Sequence, residues 1–357
     1  MSLSRIVLRD FRNLVHAEIE PAPGLNIFVG ANGAGKTSFL EALVCMARGR
    51  PLRSGRGSSI VRDGTDKAHV FVEVTTDYSK HRLGFERSRH GVQLRCDGEA
   101  VSSFLSLGRH LPVRFFGPDS QLLVDGGPEL RRGFLDWGLF HVEHESLAVM
   151  TRYRRTLKQR NKMLYEKTAN LDGDPFVEDL GRTGDRWTEL RSAHVHGLEQ
   201  MLRIEPDALS KHGKIDLLFR KGYPDNSPLE TVLRRQSADD QEKGFTTVGA
   251  HRADLDVRVA GSGLKGRISR GQQKMTTYRL LRSQAAYLAK KTGKEPILLV
   301  DDLGSELDPI SSQSILNDLC VLGWQVFVTV LPGAITPEQQ PTARWFHVEQ
   351  ASIKPVL

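Results

Sequence analysis

Cysteine is scarce in this chain. Cys45, Cys96 and Cys320 are its three examples in 357 residues, and no two form a C-x-x-C pair. That spacing excludes a cysteine-rich zinc site and a disulfide framework, and it suits a reducing compartment. No run of ~18 apolar residues occurs, so nothing is built to span a membrane as a helix. The first dozen residues carry Arg5, Arg9, Asp10 and Arg12, which leaves no apolar core for a secretory leader there. The expectation is a cytoplasmic, nucleoid-associated protein with no membrane partner. Internal repeats and low-complexity tracts are also missing. Acids are outnumbered: 43 Asp and Glu face 50 Lys and Arg, a formal net charge of +7. This balance favours a polyanionic partner. The apolar fraction, 39%, supplies a sizeable core, and the length suggests two domains or one with an insertion.

The most informative stretch that is present is Gly30-Ala31-Asn32-Gly33-Ala34-Gly35-Lys36-Thr37, which fits GxxxxGK[ST]. An apolar run, Leu25 to Val29, precedes it as a strand, and Ser38 to Leu43 continues it as a helix. Strand, glycine loop and helix together make a phosphate site, because the loop N–H groups and the helix N-terminus favour negative charge at one place. Lys36 is expected to reach the β- and γ-phosphates of ATP, and the Thr37 hydroxyl to ligate Mg²⁺.

Residues 3–8 and 14–20 alternate as strands leading into the P-loop strand. Ala68 to Val74 alternates likewise. Leu83–Glu86 and Val92–Cys96 flank Arg89-His90-Gly91 as a hairpin. The first third therefore reads as antiparallel sheet around one P-loop unit. Two amphipathic helices follow, Glu145–Lys167 and Phe176–Ile204, broken at Gly173-Asp174-Pro175. They predict an antiparallel helical arm, each helix roughly 35 Å long. Strands are expected again at 215–219, 255–260, 296–301, 324–330 and 344–348, with helices at 272–291 and 311–322. The predicted fold is α/β: a P-loop head of mixed sheet, discontinuous over 1–117 and 240–357, with a mainly helical arm inserted over 118–239.

Pro296 to Val300 is a buried-strand run ending in Asp301-Asp302. Ligands of open α/β sheets bind at the carboxyl ends of strands. Asp301 is placed to hold Mg²⁺ as a Walker B aspartate, and Asp302 to polarise the attacking water. Lys36, Asp301 and Asp302 are the candidate catalytic residues. Upstream lies Ile268-Ser269-Arg270-Gly271-Gln272-Gln273-Lys274, and downstream Ser305-Glu306-Leu307-Asp308. In this order the four motifs resemble ABC-type ATPases. The resemblance implies that Ser269, Gly271 and Gln272 face the γ-phosphate held by a second chain, so that a homodimer sandwiches two ATP molecules. Transporter ATPases carry Glu after the Walker B aspartate and His after the next strand. Asp302 and Thr329 stand here instead, which predicts slow hydrolysis and ATP used as a clamp.

Further blocks resemble the RecF family of bacterial recombination and gap-repair proteins. They are Leu8-Arg9-Asp10-Phe11-Arg12-Asn13, Pro118-Asp119 through Gly126-Gly127-Pro128 to Arg131-Arg132-Gly133-Phe134-Leu135-Asp136-Trp137, Leu157 to Asn161, Gly249 to Leu255, and Asp301 to Asp308. Ser311 departs from the family, whose members place a basic residue near there. The resemblance covers nearly the whole chain and implies an SMC-like head. It also implies ATP-dependent dimerisation on single- and double-stranded DNA, weak DNA-stimulated ATPase activity that releases the dimer, and partnership with RecO and RecR in loading RecA at gaps and stalled forks. The competing reading of the same four motifs is the ATPase subunit of a membrane transporter.

Arg152, Arg154, Arg155, Lys158, Arg160 and Lys162 fall in one acid-free window. Such a cluster supplies DNA affinity without sequence preference, or simply solvates a helix face. Arg48, Arg50, Arg53 and Arg56 make a basic loop beside the ATP motif. Arg131 and Arg132 are expected to pair with Asp136 or Glu129. Gln121 is a candidate Q-loop residue, Arg12 a candidate nucleotide contact, and His251-Arg252 either an ordinary turn or a contact to the opposing nucleotide.

Overall fold

A computed structural model describes residues 1–52, 60–76, 79–167, 174–210, 213–263, 269–305 and 307–356. Arg53, Arg56, Gly173, Ile268 and Glu306 lie outside the described residues. The chain first lays down β1 (Ser2–Phe11), β2 (Leu14–Ile19), β3 (Leu25–Val29), α1 (Lys36–Arg48), β4 (Lys67–Thr75), β5 (Lys80–Ser88), β6 (Gly91–Cys96), β7 (Glu99–Ala100), α2 (Phe104–Gly108) and β8 (Val113–Phe116). There follow α3 (Leu122–Asp125), α4 (Pro128–Val142), α5 (Ser146–Tyr165), α6 (Val177–Arg203), α7 (Asp207–Ser210), β9 (Ile215–Arg220), α8 (Leu229–Arg235), α9 (Ser237–Lys243), a 3-10 turn (Ala250–Arg252), β10 (Asp254–Val259), β11 (Ser262–Gly263) and α10 (Arg270–Thr292). It closes with β12 (Ile297–Val300), α11 (Pro309–Val321), β13 (Val326–Val330), β14 (Arg344–Glu349) and β15 (Ser352–Pro355).

These elements form two compact units: Met1–Ser120 with Gly293–Leu357, and Gln121–Thr292. The first unit holds two six-stranded sheets. One is antiparallel, in the order β2-β1-β4-β5-β6-β7. The other has the order β15-β14-β3-β13-β12-β8, parallel except for the β14–β15 pair. Strand β3 reads Leu-Asn-Ile-Phe-Val without alternation because it is buried on both faces, as a central parallel strand must be. Its Phe28 stacks on Phe39 of α1 at 4.6 Å and on Phe346 of β14 at 4.7 Å. One apolar core joins α1 to both sheets. At its carboxyl end β3 delivers the P-loop.

The second unit is mainly helical, with a three-stranded antiparallel sheet β11-β10-β9. Helices α5 and α6 run antiparallel, since Thr156 bonds Asp179 while Glu145 pairs with Arg186. At ~1.5 Å per residue they are about 30 and 40 Å long. Met150, Tyr153 and Leu164 form the buried stripe of α5, as the seven-residue steps require. The division differs from the expected one mainly at its second boundary, while the first moves from 117 to 120. Residues 240–292, assigned above to the head, pack within the second unit. Leu280 and Tyr287 of α10 enter a core with Phe134 and Leu135 of α4 and with Leu198 and Met201 of α6. The contact is close: a Cβ on Gly197 would stand 2.2 Å from the Tyr287 ring. The sequence reading also passed over β8, whose Val113–Phe116 extends the parallel sheet beside β12.

Candidate functional site

The P-loop turns out of β3 at Gly30 and into α1 at Gly35. Gly30 tolerates no side chain, because a Cβ would lie 2.2 Å from the Val348 carbonyl oxygen. Gly35 is the N-cap of α1 in the left-handed region, φ 117°, where glycine is favoured over other residues. Ala31, Asn32 and Gly33 are exposed along the loop and Ala34 is half-buried. Lys36 is buried, and its ammonium donates to the carbonyl oxygens of Gly30 at 2.6 Å and Ala31 at 2.9 Å. Burial lowers its pKa, against the opposing pull of Asp302 and Asp301.

Strand β12 sets Asp301 opposite this loop. The Thr37 hydroxyl donates to the Asp301 carboxylate, 2.9 Å from Oδ2. From the neighbouring strand, the fully buried Thr329 donates to Asp301 Oδ1 at 2.7 Å, and its oxygen accepts the backbone N–H of Asp302 at 2.7 Å. Burial raises the Asp301 pKa, and the bonds from Thr329 and Thr37 oppose that shift. Asp302 sits in the left-handed region, φ 54°, a conformation uncommon for residues other than glycine, asparagine and aspartate. Thr329 entered the sequence argument only as a missing histidine. In the structure it orients one acid and holds the backbone of the next.

A cleft of about 850 Å³ opens over these groups. Arg12, Asn13, Asn32, Lys36, Thr37 and the Asp301-Asp302 pair are among its walls. Arg12 is tied down by two bonds to buried Glu41, Nε to Oε2 at 2.8 Å and Nη2 to Oε1 at 2.9 Å. Asn13 braces the loop from outside. Its amide donates to the Gly33 carbonyl at 3.1 Å, and its oxygen accepts from the Ser38 hydroxyl at 2.7 Å. Asn13 drew notice from the sequence only as the neighbour of Arg12, and Glu41, beside the P-loop motif, was not singled out.

In the second unit, Ser269 and Gln272 form a reciprocal capping box at the start of α10. The Ser269 Oγ accepts from the Gln272 N–H at 3.3 Å, and the Gln272 Oε1 accepts from the Ser269 N–H at 3.0 Å. Gly271 follows within that first turn, and Gln121 immediately precedes α3. Asp308 of the first unit caps α11, accepting the Ser311 N–H at 2.9 Å and the Ser311 hydroxyl at 2.6 Å. A basic residue in place of Ser311 would lose the hydroxyl bond.

Two expectations need correction. Arg160 is not on the basic face of the arm. It is fully buried, with Nε 2.7 Å from Asp174 and Nη1 2.6 Å from Asp240 and 2.8 Å from the Thr246 hydroxyl. It falls on the apolar stripe of α5, so its charge is answered inside. Arg152, Arg154, Arg155, Lys158 and Lys162 remain exposed, although Arg152 pairs with Asp179, Arg154 with Asp136 and Lys162 with Glu166. Arg131 pairs with Asp254, not with Asp136 or Glu129, and Arg132 donates to the Ala253 carbonyl. Asp136 is engaged instead by Arg191 and Arg154. His251 is held within its own unit, 2.8 Å from the Tyr153 hydroxyl and 3.2 Å from the Thr246 carbonyl. Burial pushes its imidazole down to about 4.

A protein of Shewanella baltica named DNA replication and repair protein RecF is 35% identical over 356 residues, covering 99% of this chain and 99% of that one. The chain belongs to the RecF family. Residues 2–113 match the RecF/RecN/SMC N terminal domain. Among solved structures, the recombination mediator protein RecF with ATP, of the RecFOR pathway, superposes with a TM-score of 0.87 at 23% identity, over 99% of this chain and 97% of that one. An Smc head bound to the C-winged helix domain of ScpA gives a TM-score of 0.57 at 14% identity, over 100% and 97%. The fold is thus that of an SMC-like head ATPase. RecF-family membership does not favour the transporter alternative.

Proposed function

We propose that this protein is an ATP-switched DNA clamp of recombinational gap repair, dimerising around ATP and acting with RecO and RecR in loading RecA. The observation that carries the reading is the bond from Thr37 to Asp301 at 2.9 Å, beside Lys36 in one cleft. A hydroxyl and a carboxylate are hard oxygen donors of the kind Mg²⁺ takes when phosphates and waters complete its shell. Bound there, Mg²⁺ neutralises the charge on the phosphate oxygens. The residues of the chain do the rest. The N–H groups at the start of α1 receive phosphate oxygens. Lys36 exchanges two carbonyl partners for the same oxygens. Asp302 orients water. Ser269, Gly271 and Gln272 of a second copy complete the site, with Arg12 as a further contact. The Shewanella relative's name and the ATP-bound RecF structure support this reading.

Hydrolysis is slow in this reading. The Thr329 hydroxyl is committed to Asp301 and to the Asp302 backbone, so it supplies nothing to a γ-phosphate. Turnover near ~10 s⁻¹, ordinary for enzymes, would overturn that part.

The deciding experiment is anisotropy of labelled gapped DNA titrated with the protein, in ATP and then in ADP. Tight binding in ATP and weak binding in ADP is expected. Equal binding in both would reduce the interaction to general basic affinity and sink the switch.

A further inference from the structure

The DNA-binding reading leaves open what the far end of the arm does. Four exposed side chains of α5, Arg155, Lys158, Lys162 and Tyr165, follow one another at steps of three, four and three residues. Steps of that size keep residues on one helix face. The stripe runs about 15 Å along the axis, the rise of about four stacked nucleotides. It ends on Tyr165, which is 80% exposed. An aromatic ring that open in a soluble arm gains nothing from burial where it stands.

A second exposed ring belongs to a segment whose preceding residue approaches the Tyr165 backbone. Gly244 follows α9 with φ 76°, and a Cβ there would lie 3.7 Å from the Cα of Tyr165. The next residue, Phe245, is 40% exposed. Its ring carries the Arg252 guanidinium at 5.5 Å from the centroid, within cation–π range. The segment is fixed to α5 rather than draped over it. The Thr246 N–H donates to Asn161 Oδ1 at 2.8 Å, and buried Arg160 bonds the Thr246 hydroxyl. Arg160, lost to the basic face, therefore holds a second aromatic in place at the edge of that face.

We propose that this end of the arm is a docking surface for single-stranded DNA. Arg155, Lys158 and Lys162 neutralise successive phosphates, and Tyr165 and Phe245 stack unpaired bases. Exposed rings interleaved with cations form the stacking platform that binds single strands without reading their sequence. A duplex keeps its bases stacked inside and engages only the cations, leaving both rings idle. Glu166 pairs with Lys162 at 3.8 Å, an exposed contact that phosphate displaces at little cost. The proposal rests on the DNA-binding reading and names which strand the arm takes.

The test is anisotropy of a labelled oligothymidylate and of a labelled blunt duplex, with the full chain in ATP. Tyr165→Ala is expected to weaken oligothymidylate binding about 5- to 150-fold and to change duplex binding less than twofold. Tyr165→Phe should bind as the unaltered protein does, because the ring and not the hydroxyl acts. Phe245→Leu, which keeps packing volume, should reproduce the single-strand loss. Lys158→Glu with Lys162→Glu should weaken both DNAs and flatten the salt dependence. If the unaltered protein binds oligothymidylate and Tyr165→Ala binds it equally well, the platform is overturned while the clamp stands. If Tyr165→Ala weakens both DNAs alike, the strand preference is overturned. If the unaltered protein binds neither DNA, the clamp reading falls and the platform with it.

Discussion

Arg160 and Thr329 each hold other residues in place from a buried position. Arg160 sits between two carboxylates that its removal would strand. Breaking a buried ion pair from one side costs about 3–5 kcal/mol, so Arg160→Ala should lower the thermal midpoint by many degrees. A thermal melt with little change would show that Asp174 and Asp240 find other partners. Thr329→Val keeps the shape and removes one hydroxyl. The Asp302 N–H then loses its partner, at about 1–3 kcal/mol for a buried group left unsatisfied, and Asp301 Oδ1 keeps only the longer bond from Thr37 at 3.1 Å. Steady-state ATPase assays should show kcat falling more than nucleotide affinity, because Lys36 and the loop are untouched. The sequence made both residues hard to read. Arg160 looked like five neighbouring cations, although its spacing from Met150, Tyr153, Leu157 and Leu164 already put it on the apolar stripe. Thr329 lies in an apolar strand run, and nothing local announces that its hydroxyl points at an acid on the adjacent strand.

Among elements, the P-loop is the least forgiving. Gly30→Ala would drive a methyl into the Val348 carbonyl. We expect loss of ATP binding by calorimetry together with reduced stability, since β14 must shift or β3 must bend. The turn Ala250–Arg252 gives a pH dependence. His251 is neutral and half-buried against Tyr153 of α5, with its pKa lowered to about 4 from the ordinary 6.5. The unfolded chain binds the proton more readily, so stability is complete above the unfolded value and is lost as pH falls toward 4. The shift corresponds to roughly 3 kcal/mol. His251→Gln should therefore flatten the urea-unfolding free energy between pH 6.5 and 4 relative to the unaltered chain; parallel curves would refute the assignment. The elements themselves were well forecast where the pattern was long. The arm helices, α10, α11 and the late strands came within a few residues, because period and caps agreed. Strand β8 escaped because four residues containing Arg114 offer too short a pattern.

At the scale of the whole molecule, the motifs that identified the family lie in both compact units, and the sequence could not say how the boundary divides them. The order of motifs along the chain invited the assignment of 240–357 to one head. Packing decided otherwise, through Leu280 and Tyr287, whose partners on α4 and α6 lie roughly 80 to 150 residues earlier in the chain. A prediction belongs to this scale. ATP in hundredfold excess over its dissociation constant should stabilise the P-loop unit by about 2.7 kcal/mol. Differential scanning fluorimetry should show that gain disappearing in Lys36→Ala.

The sheet that carries the P-loop has one further consequence, during synthesis. Strand β3 is made near the start of the chain, yet both its neighbours, β13 and β14, are made near the end. At translation rates of ~5–20 residues per second, that strand waits roughly 15–60 s for its partners. Meanwhile the antiparallel sheet and the helical unit have all their strands and helices in hand. A ribosome that stops early therefore releases a chain whose P-loop strand has neither neighbour. Such fragments are poorly placed to bind ATP, so competence at the nucleotide site reports that translation has run through β14.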